Sequence, residues 1–187
     1  MERQIAAGLV EKYLETDHLI RHSYAVEAVM RALAKKLDPE NEELWAISGL
    51  LHDIDADIVD YRSNPKLHGP KAVEILKEEG FGNEKLYHAI CAHNMGSGVA
   101  IESNLDQAIY AADPITGFIT AVTLVYPDKK IASVKAKSIV KRMKDKRFAA
   151  GADRDAMKSI EKLGIPFAEF AEISLCAMCE ISDKLEL

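Results

Sequence analysis

The chain has 187 residues, 48% of them hydrophobic and 29% charged, and a formal net charge of -6. That length suits one domain able to bury a core without disulfides or a structural metal, and 10 Gly with 6 Pro exclude collagen-like, linker and most disordered classes. The acidic balance disfavours a general nucleic-acid coat or a polybasic membrane binder, and three cysteines, Cys91, Cys176 and Cys179, make no secreted disulfide framework.

Met1-Glu2-Arg3-Gln4 is followed by a short apolar stretch that Glu11 and Lys12 break. No signal peptide is read there, and the expected location is cytoplasmic. Thr16 or Asp17 can cap a helix whose apolar stripe runs Leu19, His22, Val26, Val29, Leu33, Leu37. Asp38-Pro39 ends it, because proline disfavours helical geometry in the residue before it and suits the start of the next helix. The next helix, 40–54, is apolar on almost every side from Leu44 onward and is expected in the middle of a bundle. A polar stretch, 55–65, leads to helices at 67–79 and 84–92, with Gly80 and Gly82 between them.

A Gly-containing loop, 94–103, precedes a long helix starting near Asn104. From Ala108 to Tyr126 the only charged residue is Asp113, over about the length of a bilayer-crossing helix. Asp113-Pro114, Gly117 and the threonines at 116, 120 and 123 favour a central core helix instead, since a carboxylate at bilayer depth is costly without a partner. From Asp128 to Arg147, nine basic residues face two acids, a net charge of +7 that leaves -13 for the remainder. Such a run is either the wet face of a helix or a wall that holds phosphate; in the second case Lys129 and Lys130 bind substrate. Apart from Phe148 it lacks the interleaved aromatic residues that single-strand binders stack on, which disfavours nucleic acid.

Two further helices are expected at 153–163 and 166–184. Cys176 and Cys179, a C-x-x-C pair in the second of them, read as core packing rather than redox or zinc chemistry. Nothing alternates long enough to propose a sheet. The expectation is an all-α helical bundle forming a single domain over 1–187, with a core at 17–126 and a helical extension at 127–187.

Histidine placement points to the chemistry. His22 sits on an apolar stripe where leucine would pack better, His52-Asp53 ends the most buried-looking helix, and Asp113 stands alone in the least charged segment. A buried carboxylate must find a partner or become protonated, and no Lys or Arg lies near Asp113 in sequence. Histidines and carboxylates converging from separate helices suggest a divalent metal ion, for which bundle cores are common sites. Neighbouring helical residues point about 100° apart, so His52 and Asp53 share one ion only at its rim, or serve two adjacent ions. His18 is expected to be exposed and His88 structural.

The order His22-Ser23, Gly49-Leu50-Leu51-His52-Asp53-Ile54, Ala111-Ala112-Asp113 resembles the HD-domain superfamily of metal-dependent phosphohydrolases, over about 17–126. The resemblance implies an all-α fold. Two further stretches, His68-Gly69-Pro70 and Ala92-His93-Asn94, look like those that supply extra histidines in binuclear members. The implied ligands are His22, His52, Asp53, His68, His93 and Asp113. Asp53 would bridge an ion on His22, His52 and Asp113 to one on His68 and His93. Asp55-Ala56-Asp57 stands where cyclic-dinucleotide phosphodiesterases carry Gly-Lys, and Asn94 replaces the second histidine of their pair; cleavage of cyclic dinucleotides is disfavoured.

The resemblance implies metal-assisted hydrolysis of a nucleotide or other small phosphorylated substrate, with the ion (Fe, Mn, Zn, Mg, Co or Ni) lowering the pKa of water. Asp53 and, by proximity in sequence, Asp57 and Lys66 are candidate catalytic residues, with Asp55 a further candidate for orienting water. Lys66 and Asn94 are candidates for substrate binding. Two other readings share these residues: a di-iron oxygenase of the same fold, and a non-enzymatic nucleotide-sensing module.

Overall fold

The computed structural model describes residues 2–60 and 63–187; Tyr61 and Arg62, in the polar stretch 55–65, lie outside them. Among the described residues the chain is all-α, with no strand. The helices are α1 (Arg3–Tyr13), α2 (Asp17–Leu37), α3 (Glu42–Leu51), α4 (Pro70–Glu78), α5 (Glu84–Ala92) and α6 (Asn104–Leu124), followed by α7 (Ala136–Arg142), α8 (Arg154–Lys158), α9 (Phe167–Glu180) and α10 (Ser182–Leu185).

Sequence reading misses α1, because 1–12 is too short in apolar run to stand out. Its stripe, Ala6, Leu9 and Val10, is nevertheless at helical spacing and buried, and α1 packs on α3 and α2. Arg3 grips the buried Glu27 of α2 with both Nε and a terminal nitrogen, the latter at 2.8 Å. The helix expected at 40–54 splits into a 3-10 turn at Pro39–Asn41 and α3, then leaves the helix at His52 for a series of turns. The helix expected from 67 begins only at Pro70. Gly69 caps it at φ 93°, outside helical geometry, and leaves His68 in the turn before it. The helix expected at 166–184 breaks at Ile181 into α9 and α10.

α6 runs through the centre and touches α2, α3, α5, α7, α8 and α9. Ser103 and Asp106 form a capping box at its start, satisfying N–H groups that the helix itself cannot. No helix among the described residues is long and apolar enough to cross a membrane. α2 and α3 approach closely at Gly49, where a Cβ would stand 2.8 Å from Val26 O. One buried apolar cluster, including Trp45, Phe118 and Phe170, extends from Ala6 to Leu185. It therefore takes in the 127–187 extension together with the 17–126 core. Cys179 packs against this cluster, but Cys176, contrary to the packing expectation, is exposed: α9 is wider than its apolar stripe, and this residue falls on the outer side.

Candidate metal centre

His22 is supplied by α2, His52 and Asp53 by the end of α3, His68 by the turn before α4, His93 by the end of α5, and Asp113 by the middle of α6. All six meet. His22 Nε2 lies 3.1 Å from Asp113 Oδ1 and 3.6 Å from Asp53 Oδ2. On the other side, Asp53 Oδ1 lies 3.1 Å from His68 Nε2, 3.3 Å from His52 Nε2 and 3.4 Å from His93 Nε2. The two oxygens of Asp53 thus face different sets of imidazoles.

Every one of the four rings is held from behind by Nδ1, which leaves Nε2 turned to the centre. His52 and His93 each stand one residue past a helix, where the last carbonyls have no N–H of their own helix to accept. Each ring folds back on the carbonyl three residues earlier: His52 Nδ1 to Gly49 O at 2.8 Å, His93 Nδ1 to Ile90 O. His68 Nδ1 meets Asp55 Oδ1 at 2.9 Å. His22 Nδ1 donates to Thr116 Oγ1 at 3.1 Å, since that hydroxyl already donates to Asp113 O. Such partners set ring tautomer and orientation in metal sites.

Burial opposes charge here and the neighbours decide the outcome. It lowers His52 to about 4, against the pull of Asp53 and with the neighbouring rings of His93 and His22 adding to the fall. Burial also opposes the His68 imidazolium, but Asp53 and Asp55 outweigh it and raise this histidine to about 10. His22 is raised in the same way, with Asp113 and Asp53 overcoming desolvation. Burial would raise Asp53, yet His52, His68 and His93 hold it well below the ordinary carboxylate range. Asp113 is lowered too, as His22 and His52 override its desolvation.

The donor set fits a divalent cation. Three groups from it, His22/His52/Asp53, His52/His93/Asp113 and Asp53/His68/His93, have ligand atoms within 4.8 Å of one another. His52 Nε2 is a buried atom with no hydrogen-bond partner, and buried polar atoms are rarely left so. Imidazole nitrogen with carboxylate oxygen is the donor chemistry of Zn, Fe, Mn, Co and Ni sites.

The other sequence candidates lie elsewhere. Asp57 is exposed and accepts from the backbone N–H of Glu15 (2.8 Å) and Thr16 (2.9 Å) and from the Thr16 hydroxyl (2.6 Å). It fastens the α1–α2 corner rather than reaching the cluster. Lys66, Lys129 and Lys130 are exposed and are not among the residues lining the cavity over the cluster. Asn94 does line the cavity. Its amide donates to Pro65 O (2.6 Å) and His68 O (3.0 Å), clamping the turn that presents His68. His18 is exposed but sits at the cavity wall, while His88 pairs with Asp106 at 3.1 Å.

Thr116, the Gly49 and Ile90 carbonyls and the orienting bond from Asp55 went unread in the sequence. A spacing of three was the available signal, linking Asp113 to Thr116, Gly49 to His52 and Ile90 to His93. A family model described as HD domain matches residues 19–116. No match to the chain was found among curated proteins or solved structures.

Proposed function

The chain belongs to the HD domain family, generally one of metal-dependent hydrolases, and from that premise we propose that it is a phosphohydrolase acting on a small phosphorylated substrate. The observation that carries this reading is the set of four Nε2 atoms aimed at Asp53 and Asp113 at the base of an open cavity.

His22, His52 and Asp113 would hold one divalent ion, His68 and His93 a second, with Asp53 between them. When bound, such ions make water more acidic and draw charge from phosphoryl oxygens. The protein's part is to fix each ring in direction, with Nε2 turned to the ion. Gly49 O, Ile90 O, Asp55 and Thr116 do that from behind, so little reorganisation is needed at the moment of reaction. Asp53 presents Oδ1 and Oδ2 to opposite sides and holds the two halves in register.

The test is elemental analysis followed by a phosphate-release screen in the metal found. Divalent metal that co-purifies, and hydrolysis that Asp53→Ala abolishes, are expected. Undiminished hydrolysis by metal-free protein sinks the reading. So does iron with oxygen uptake and no phosphate release from any substrate, which points to the oxygenase chemistry of the same fold.

A further inference from the structure

The cavity above the cluster has a volume of about 970 Å³, far more than a phosphate group fills. Its walls beyond the metal ligands are mostly apolar: Leu19 from α2, Tyr110, Pro114 and Leu124 from α6, Ala152 from the loop before α8, and Leu185 from α10. Leu124 is 52% exposed, so apolar surface continues to the mouth.

Charge on these walls is mostly negative. Asp153, which caps α8, and Glu186 both line the cavity. Arg21 is the one Lys or Arg among the described residues lining it, and it is already ion-paired with Glu186. Two divalent ions held by Asp53 and Asp113 would leave an excess of two positive charges, which a single phosphoryl dianion cancels. Further phosphates on a substrate would find Arg21 already engaged by Glu186 and would lie beside Asp153, where like charge opposes them.

We propose that the site takes a phosphomonoester whose organic part is uncharged and apolar, and discriminates against polyphosphates and sugar phosphates. The proposal rests on the phosphohydrolase reading for the phosphoryl end and on the wall residues for the rest. Apolar pockets with a few placed polar groups bind through the body of a ligand and orient it by the polar end. The apolar wall acts on the ester group, and the cluster acts on the phosphoryl group.

Isothermal titration of the protein with its co-purified metal, using 1-naphthyl phosphate and ribose 5-phosphate, compares two bodies on the same phosphate. The naphthyl ester is expected to bind at least about tenfold tighter, and Leu124→Asp, at an exposed position the fold tolerates, is expected to reduce that ratio to about threefold or less. In phosphate release with metal in excess, kcat/KM for 1-naphthyl phosphate is expected to exceed that for ATP by about tenfold or more. Equal or tighter binding of ribose 5-phosphate, or faster turnover of the triphosphate, overturns the proposal. Preferential binding of the naphthyl ester without any phosphate release overturns the phosphohydrolase reading and supports the ligand class.

Discussion

Replacing Asp55 by Asn keeps the shape of a fully buried side chain and removes its charge. Asp55 accepts through Oδ2 from the backbone N–H of Gly69 (2.9 Å) and Ala72 (3.1 Å), and through Oδ1 from His68 Nδ1 (2.9 Å). An amide has one oxygen. If that oxygen stays with the two N–H groups, the new NH2 faces His68 Nδ1, and the ring must carry its proton on Nε2 instead. That atom lies 3.1 Å from Asp53 Oδ1, and once protonated it has no lone pair for a metal ion. Loss of an orienting carboxylate behind a ligating histidine costs about 10–100-fold in metal affinity, or about 1.4–2.8 kcal/mol. The fold should lose less cooperativity than the site, since both backbone bonds persist and a charged acceptor becomes neutral at about 1 kcal/mol per bond. Asp55→Ala should differ: two buried N–H groups lose their acceptor, at about 1–3 kcal/mol each, so fold and site fail together. Chelator competition for Mn2+ or Zn2+, beside thermal melts of metal-free protein, separates the two effects. Wild-type metal affinity in Asp55→Asn, with only the melt lowered, would falsify the orienting role and leave Asp55 as a helix cap.

Metal affinity should also rise with pH, because an ion must displace the proton that keeps His68 charged up to about 10. The expected gain is about tenfold per unit across the neutral range for each proton displaced, and affinity independent of pH between about 6.5 and 7.5 would contradict it. Stability of the metal-free protein should run the other way: the raised His68 contributes fully below about pH 6.5 and that contribution fades as pH rises through about 10. Gly49→Ala is expected to lower stability by about 1–3 kcal/mol, since its Cβ meets Val26 O at 2.8 Å. It should weaken metal binding as well, because Gly49 O holds His52; a urea melt and a metal titration unchanged from wild type would show that α2 and α3 have room to part. Lys129→Ala with Lys130→Ala should leave kcat/KM within about twofold, as both are exposed and outside the cavity wall; a larger loss in the phosphate-release assay would bring the basic run back to the substrate. Chelation should lower the melting temperature without unfolding the chain, because the core from Ala6 to Leu185 is apolar and continuous; loss of helical circular dichroism on chelation would make the ion a folding requirement.

The all-α fold was legible because apolar periodicity dominates nearly every segment, and α2 and α5 were placed at their observed bounds. Convergence of the six donors followed less from periodicity than from where charge stood: Asp113 in the otherwise uncharged stretch 108–126, His22 on an apolar stripe. Helix ends were harder to place. Proline at 70 suits a first turn, but the positive φ of Gly69 that separates His68 from α4 is a tertiary fact, fixed by the Asp55 carboxylate accepting from Gly69 and Ala72. The basic run left two readings open, a wet face or a phosphate wall, for a different reason. Composition reports how much charge a segment carries, whereas site electrostatics depend on which side of the bundle receives it.

The charge arithmetic of the whole chain therefore has to be read locally. Asp53 and Asp113 occupy a region where burial alone would neutralise carboxylates. In the metal-free protein the His68 imidazolium stands between Asp53 and Asp55 and supplies positive charge. His52, held near 4 by burial, stays neutral beside it. His68, with the raised His22, thus balances the carboxylates while His52 keeps a free lone pair, and an entering cation would exchange protons on the first two for coordination. A site arranged in this way can fold before it is loaded and still bind when an ion arrives. The acidic mean of the chain conceals that division, and so does the +7 segment, which lies on surface the cavity does not use.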